Sequence, residues 1–144
     1  MRGQELPLSM ARYEVLDHTA DLLIRAGGHD LAECCENLAY GMFDQMVDLG
    51  GVRPQESRSV DVTGTDPEDT LYSFLSELLY LEDADGLIFC EFKVQLDGLR
   101  LRCTAKGEPL DRGRMHLRGE IKAVTFHAME IDPQTPRLTV LFDV

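Results

Sequence analysis

Apolar residues recur at three- and four-residue spacing through residues 31–47. Leu31, Cys35, Leu38, Ala39, Met42, Phe43 and Met46 form one stripe, with Glu33, Glu36, Asn37 and Asp44 elsewhere on the wheel. That spacing predicts an amphipathic helix. Asp30 precedes it as an N-cap with Glu33 three positions on, a capping-box pattern, and Gly50-Gly51 follows as a stop. A second helix is predicted to start at Asp66 (N-cap) and Pro67 (first helical position), with Glu68 and Asp69 near its positive end. Its stripe is Leu71, Phe74, Leu75, Leu78 and Leu79, and it should end between Asp83 and Gly86.

Elsewhere the period is two. Ile88, Cys90, Phe92, Val94 and Leu96 alternate with Glu91, Lys93 and Gln95; after Asp97-Gly98, Leu99, Leu101, Cys103 and Ala105 alternate with Arg100, Arg102, Thr104 and Lys106. Two alternating runs around Asp-Gly predict a tight hairpin. Weaker strands are predicted at 12–16, 22–26, 58–63, 122–129 and 138–142. Each helix has one long stripe and each strand one apolar face. The expected fold is therefore an α+β two-layer domain, a mostly antiparallel or mixed β-sheet with two main α-helices packed on it. Its 144 residues fit one core, so 1–144 reads as a single domain. Residues 1–10 are expected to be a poorly ordered extension, upstream of a second plausible start at Met10.

Composition narrows the class. Hydrophobic residues are 44% and charged residues 28%, which excludes disordered, collagen-like and low-complexity chains. No apolar run approaches the roughly 20 residues that span a bilayer, and residues 1–10 lack the apolar stretch of a secretory signal. The expectation is a cytoplasmic protein with no membrane partner. A net charge of −12 would be repelled by a phosphate backbone, so direct stable nucleic-acid binding is not expected. The charge is uneven: residues 100–122 hold seven basic side chains (Arg100, Arg102, Lys106, Arg112, Arg114, Arg118, Lys122) against three acidic ones. Solvated strand faces would account for this, as would a set of docking charges at Arg112, Arg114 and Arg118. Cys34, Cys35, Cys90 and Cys103 show no C-x-x-C and no zinc-finger spacing to histidine, and are expected to be small buried apolar residues.

Three places could carry chemistry. Asp17-His18-Thr19-Ala20-Asp21 is a polar cluster between two strand-like runs. Turn chemistry explains it, since Asp and Thr side chains bond nearby backbone; alternatively Asp17, His18 and Asp21 offer oxygen and nitrogen atoms to a cation. The run Leu138-Thr139-Val140-Leu141-Phe142 leads directly into Asp143 and Val144. A terminal carboxylate on Val144 beside the Asp143 side chain would make two hard anions one residue apart, whose repulsion a divalent cation relieves. With Asp21 the set is all oxygen, which favours Ca²⁺, Mg²⁺ or Mn²⁺ over Zn²⁺. A solvated acidic strand end would look the same. Third, Lys122 and His127 interrupt the strand-like stretch 119–127; a lysine at a sheet edge deters aggregation, and His127 reads as an ordinary core or surface histidine. No G-x-S-x-G, P-loop, H-E-x-x-H or G-x-G-x-x-G pattern occurs.

The segment Tyr13-Glu14-Val15-Leu16-Asp17-His18-Thr19-Ala20-Asp21, followed by the helix with Ala39, Met42 and Phe43, resembles the archease family. Leu75-Ser76-Glu77-Leu78-Leu79-Tyr80, Glu120-Ile121-Lys122-Ala123-Val124-Thr125-Phe126 and the ending Phe142-Asp143-Val144 extend the resemblance in the same order from about Tyr13 to Val144. It implies a protein with no catalytic residues of its own, one that promotes guanylylation and turnover of the RtcB-type RNA ligase in tRNA splicing or RNA repair. It also implies a divalent cation, Ca²⁺ first with Mn²⁺ and Mg²⁺ as alternatives, held by Asp21, Asp143 and the carboxylate of Val144. Asp17 and His18 would be further members of that cluster, and Lys122 a contact to the partner or its nucleotide. Two other readings stand beside it: a general chaperone or assembly modulator for RNA-modifying enzymes, and a small metal-dependent hydrolase using Asp17, His18 and Asp21.

Overall fold

The computed structural model describes residues 12–18 and 20–144. The expectation for residues 1–10 lies outside them. In chain order the elements are β1 (Tyr13–Leu16), β2 (Leu22–Gly27), α1 (Leu31–Asp44), a 3₁₀ turn at Leu49–Gly51, β3 (Glu56–Thr63), α2 (Pro67–Asp85), β4 (Leu87–Asp97), β5 (Arg100–Pro109), β6 (Ala123–Asp132) and β7 (Arg137–Asp143).

Local chemistry sets the ends of the helices. The Asp30 carboxylate accepts from the Glu33 amide at 2.8 Å and Asp66 from the Asp69 amide at 2.7 Å, each satisfying an orphan N–H of a first turn. Glu33 does not reach back to Asp30; its carboxylate accepts instead from the His29 amide at 2.6 Å. Gly86 closes α2 in the left-handed region at φ 66°, where a side chain would be strained, and its N–H bonds the Glu82 carbonyl at 2.8 Å. Helix α1 stops at Asp44, three residues before the periodicity does. The Asp44 carboxylate accepts from the Leu49 amide at 3.1 Å and the Tyr13 hydroxyl at 2.7 Å, and Val47 forms a bridge with Leu117. Met46 and Val47 are still buried, so their apolar spacing is real, but they pack as loop residues.

All strand pairings are antiparallel, and the strands divide into two sheets: β1-β2-β7-β6 and β3-β5-β4. The α+β class, the two helices and the antiparallel strands agree with the sequence reading; the division into two sheets is what periodicity did not specify. Helix α1 packs against β1, β2 and β7 of the first sheet and β4 of the second, and α2 against β6 of the first and β3, β4 and β5 of the second. The core therefore joins both sheets through the helices: Ile24, Leu38, Met42, Phe43, Phe74, Leu75, Leu78, Phe89, Leu101 and Phe142 are all fully buried. Phe43 meets the edge of Phe89 with ring centroids 5.5 Å apart. The β4–β5 hairpin turns on Gly98-Leu99, with Gly98 at φ 61° in the first central position, where a two-residue primed turn needs positive φ.

Strand β6 is less regular than its sequence. Its pairing with β7 shifts between Thr125 and Glu130, so Phe126, His127, Ala128 and Met129 bulge outward, with Ala128 at φ 61°. Phe126 leaves the sheet to stack on Tyr72 of α2, centroids 4.3 Å apart and planes 11° from parallel. His127 is exposed on this bulge.

Candidate functional site

The first sheet brings the sequence-distant candidates to one end. The ladder between β2 and β7 ends at the pair Leu22–Phe142, and Asp21 and Asp143 are the next residue along each segment. On the other side of β7, Asp143 pairs with Ala123, and the Lys122 amide donates to the Asp143 carbonyl at 2.7 Å. Asp143 ends β7, while Asp21 and Lys122 immediately precede its two neighbours β2 and β6, so the three residues gather at one end of the sheet. Asp21 is half-buried, while Asp143, Lys122 and Val144 are exposed.

Packing behind this end holds it in place. Phe142 is fully buried and Ile121 nearly so, which fixes the residues that follow each of them outward. The Thr125 hydroxyl donates to the Leu141 carbonyl at 3.0 Å and ties β6 to β7. Strand β1 is fastened to α1 through Tyr13, whose hydroxyl donates to Asp44 and accepts from the Gln45 amide group at 3.0 Å. Its ring lies so close over Gly41 that a Cβ there would come within 2.6 Å of it. Burial, reinforced by the hydrogen bond to Asp44, pushes the Tyr13 hydroxyl up to about 12, so it stays a neutral donor. The loop after β1 is therefore launched from a fixed strand: Leu16 pairs with Leu23, and exposed Asp17 and His18 follow at the same end of the sheet as Asp21.

Among the described residues, no three or more His, Cys, Asp or Glu side chains form a group that could hold a metal ion. Asp17, His18 and Asp21 share an end of the sheet without converging as a closed ligand set. The acidic residues next to the end of the β2–β7 ladder are Asp21 and Asp143. Such an open, all-oxygen, water-accessible pair suits a hard cation that keeps part of its hydration shell, and it does not suit a closed Zn²⁺ site. Among the described residues no ion pair engages Asp21, Asp143 or Lys122.

The arginine-rich segment is partly structural, which its sequence did not disclose. Glu108 is buried, with its side chain 5% exposed; it accepts from the Arg53 amide at 2.7 Å and from the Arg114 guanidinium at 2.5 Å. Burial alone would raise its carboxyl, but these bonds outweigh that and hold it below the usual carboxylate range. Arg114 also donates to the Gly51 carbonyl at 2.7 Å, and Arg118 lies 3.6 Å from Asp48. Arg114 is thus a strut between the 108–119 loop and the 3₁₀ turn, and of the three arginines only Arg112 has no ion-pair partner among the described residues. The four cysteines are free and buried as expected; burial pushes the thiols of Cys34 and Cys103 up to about 12 and that of Cys90 to about 11, far from nucleophilic at neutral pH.

This arrangement has counterparts. A model of the Archease protein family matches residues 13–144, nearly the whole of the described chain. The chain belongs to the archease family. "Protein archease" of Thermococcus gammatolerans is 44% identical over 127 residues, 85% of this chain and 89% of that one; the archease of Methanothermobacter thermautotrophicus is 44% identical over 126 residues with the same coverage. "Protein archease-like" of Drosophila melanogaster is 35% identical over 124 residues, 83% of this chain and 80% of that one. The solution structure of Methanobacterium thermoautotrophicum protein 1598 superposes with a TM-score of 0.80 at 38% identity, covering 94% of this chain and all of that one. The archease match opens at Tyr13, the residue that docks β1 on α1, and takes in Asp17, His18, Asp21, Lys122 and Asp143.

Proposed function

We propose that this archease-family protein is a non-catalytic activator of an RtcB-type RNA ligase, acting in tRNA splicing or RNA repair by promoting guanylylation and turnover of the ligase. The observation that carries the reading is the adjoining placement of Asp21, Asp143 and Lys122 at one exposed end of the four-stranded sheet. Asp21 and Asp143, with Val144, are the residues that would hold a divalent cation, Ca²⁺ or else Mn²⁺ or Mg²⁺. Such a cation would supply positive charge toward phosphate oxygens. Lys122, whose amide donates to the Asp143 carbonyl, has an exposed side chain that would contact the ligase's nucleotide triphosphate or an acidic ligase residue. The protein works in the cytoplasm, and it touches RNA only through its partner, because a chain of net charge −12 gains nothing from a phosphate backbone.

Two measurements test this. Added to a cognate RtcB-type ligase with GTP and Mn²⁺, the protein should raise the yield of ligase-GMP and multiple-turnover RNA joining, and should join no RNA alone. No effect on the ligase, or phosphoester turnover by the protein without it, would overturn the reading. Isothermal titration should show Ca²⁺ or Mn²⁺ binding that is lost in Asp21→Ala and Asp143→Ala; equal binding by all three proteins would remove the cation from this end of the sheet.

A further inference from the structure

Next to Lys122 a groove opens between α2 and the segment 117–124, lined by Tyr72, Leu79, Tyr80, Leu117, Ile121 and Lys122 among others. Apolar surface collects around it: Tyr80 is 63% exposed and Leu117 41%, and Phe126, 53% exposed, stacks on Tyr72 in the groove wall. Exposed apolar side chains scattered singly need no explanation, but a group of them around one concavity marks an interaction surface. The wall is preformed. The amides of Arg118 and Gly119 both donate to the Met46 carbonyl, at 2.8 and 3.3 Å, and Leu117 forms its bridge with Val47.

Charge says what would fit. Glu82, Asp83 and Glu120 line the same groove, and no ion pair holds any of them among the described residues; of the basic residues that also line it, Arg112 and Lys122 are unpaired among the described residues and Arg118 is turned to Asp48, so unpaired acidic groups outnumber unpaired basic ones by three to two. Burial first, and then the neighbouring Asp83 and Glu120 carboxylates, push the Glu82 carboxyl up, so these three acidic groups sit close enough to feel one another. The groove also runs into the tip: Lys122 and Ala123 line it, and they bond and pair with Asp143.

We propose that this groove is where the ligase docks, taking a surface segment that carries an apolar or aromatic side chain for the space between Tyr80 and Leu117 beside a Lys or Arg for Glu82, Asp83 and Glu120. The proposal rests on the activator reading above and separates two tasks: the groove supplies affinity, and Asp21, Asp143 and Lys122 supply the effect. A partner seated there places the tip through the continuous backbone of 121–123.

The test is a titration of wild type and variants against the cognate ligase, reading affinity directly and stimulation of RNA joining as a function of concentration. Tyr80→Glu and Leu117→Glu should each weaken binding about tenfold or more, the size expected of an anchor side chain. Full stimulation should return when their concentration is raised. The double variant Glu82→Lys with Asp83→Lys should weaken binding similarly, and it stands in for the apolar variants if circular dichroism finds either unfolded. Asp21→Ala should fail to stimulate at any concentration. If wild type stimulates and folded groove variants bind as tightly as it does, the groove is not the docking surface. If instead the groove variants abolish self-association of the protein alone, a second copy is the occupant and the proposal falls. Absence of any wild-type binding or stimulation would overturn the ligase reading itself.

Discussion

On the open face of the three-stranded sheet, Arg100 forks onto Asp61 of the neighbouring strand at 2.7 and 3.0 Å, and on its helix-facing side Arg58 of β3 reaches Asp85 of α2 at 3.1 Å. At the end of the four-stranded sheet, by contrast, Asp21, Asp143 and Lys122 adjoin with no ion pair among the described residues. The hydrogen bonds from Arg100 hold the Asp61 carboxyl below its usual range. Both regions are exposed and polar, and composition does not separate them. What separates them is whether the charges are answered within the molecule. Charges that satisfy each other across a ladder form a quiet surface, worth little and asking for nothing. Asp21, Asp143 and Lys122 have no such answer among the described residues, which leaves their charges available to a cation or a partner.

Substitutions should rank these regions by stability. Leu75, fully buried on α2 between the two sheets, gives the largest effect: Leu75→Asp buries a charge and should cost several kcal/mol, enough to unfold a marginal domain. An unchanged melting temperature would mean that α2 does not face the core. Glu108→Gln should cost about 1–3 kcal/mol by weakening the bonds that anchor Arg53 and Arg114. It also carries a pH signature. Because the folded-state carboxyl sits below the unfolded one, its contribution is complete above the unfolded value of about 4.3 and is lost as pH falls through the lower folded value. Wild type should therefore lose stability on acidification below about pH 4, and Glu108→Gln should lose less over that window; parallel curves would show that Glu108 contributes nothing there. Smallest is Arg100→Ala, whose partner Asp61 is as exposed as itself; its melting temperature should match wild type, and a clear loss would break the view of that face as quiet.

Much of the local structure was legible because its causes are local. Asp66-Pro67 and Gly86 mark both ends of α2, and Asp97-Gly98 marks the hairpin, since caps and turns are decided by residues within a few positions of one another. Helix α1 ends three residues short of the apolar spacing, where Asp44 is held by Tyr13, 31 positions away. The Phe126–Met129 bulge leaves no trace in the alternation, and its Phe126 stacks on Tyr72, a residue of another element. Arg114 reads as a surface charge in the sequence, because nothing local reveals that its partner Glu108 is buried. Asp17, Asp21, Lys122 and Asp143 were legible as polar residues at the ends of strand-like runs, and the family resemblance grouped them. No spacing rule says that residues 21, 122 and 143 adjoin, because register between distant strands is set by the whole core.

The most direct test of the account sets Asp21→Ala, Asp143→Ala and Lys122→Ala beside wild type in the ligase assay, at saturating concentration and with melting temperatures recorded. All three lie outside the core, so each variant should melt like wild type and yet fail to raise ligase-GMP or RNA joining. Stimulation that survives all three substitutions would contradict the claim that this end of the sheet is the working part of the molecule.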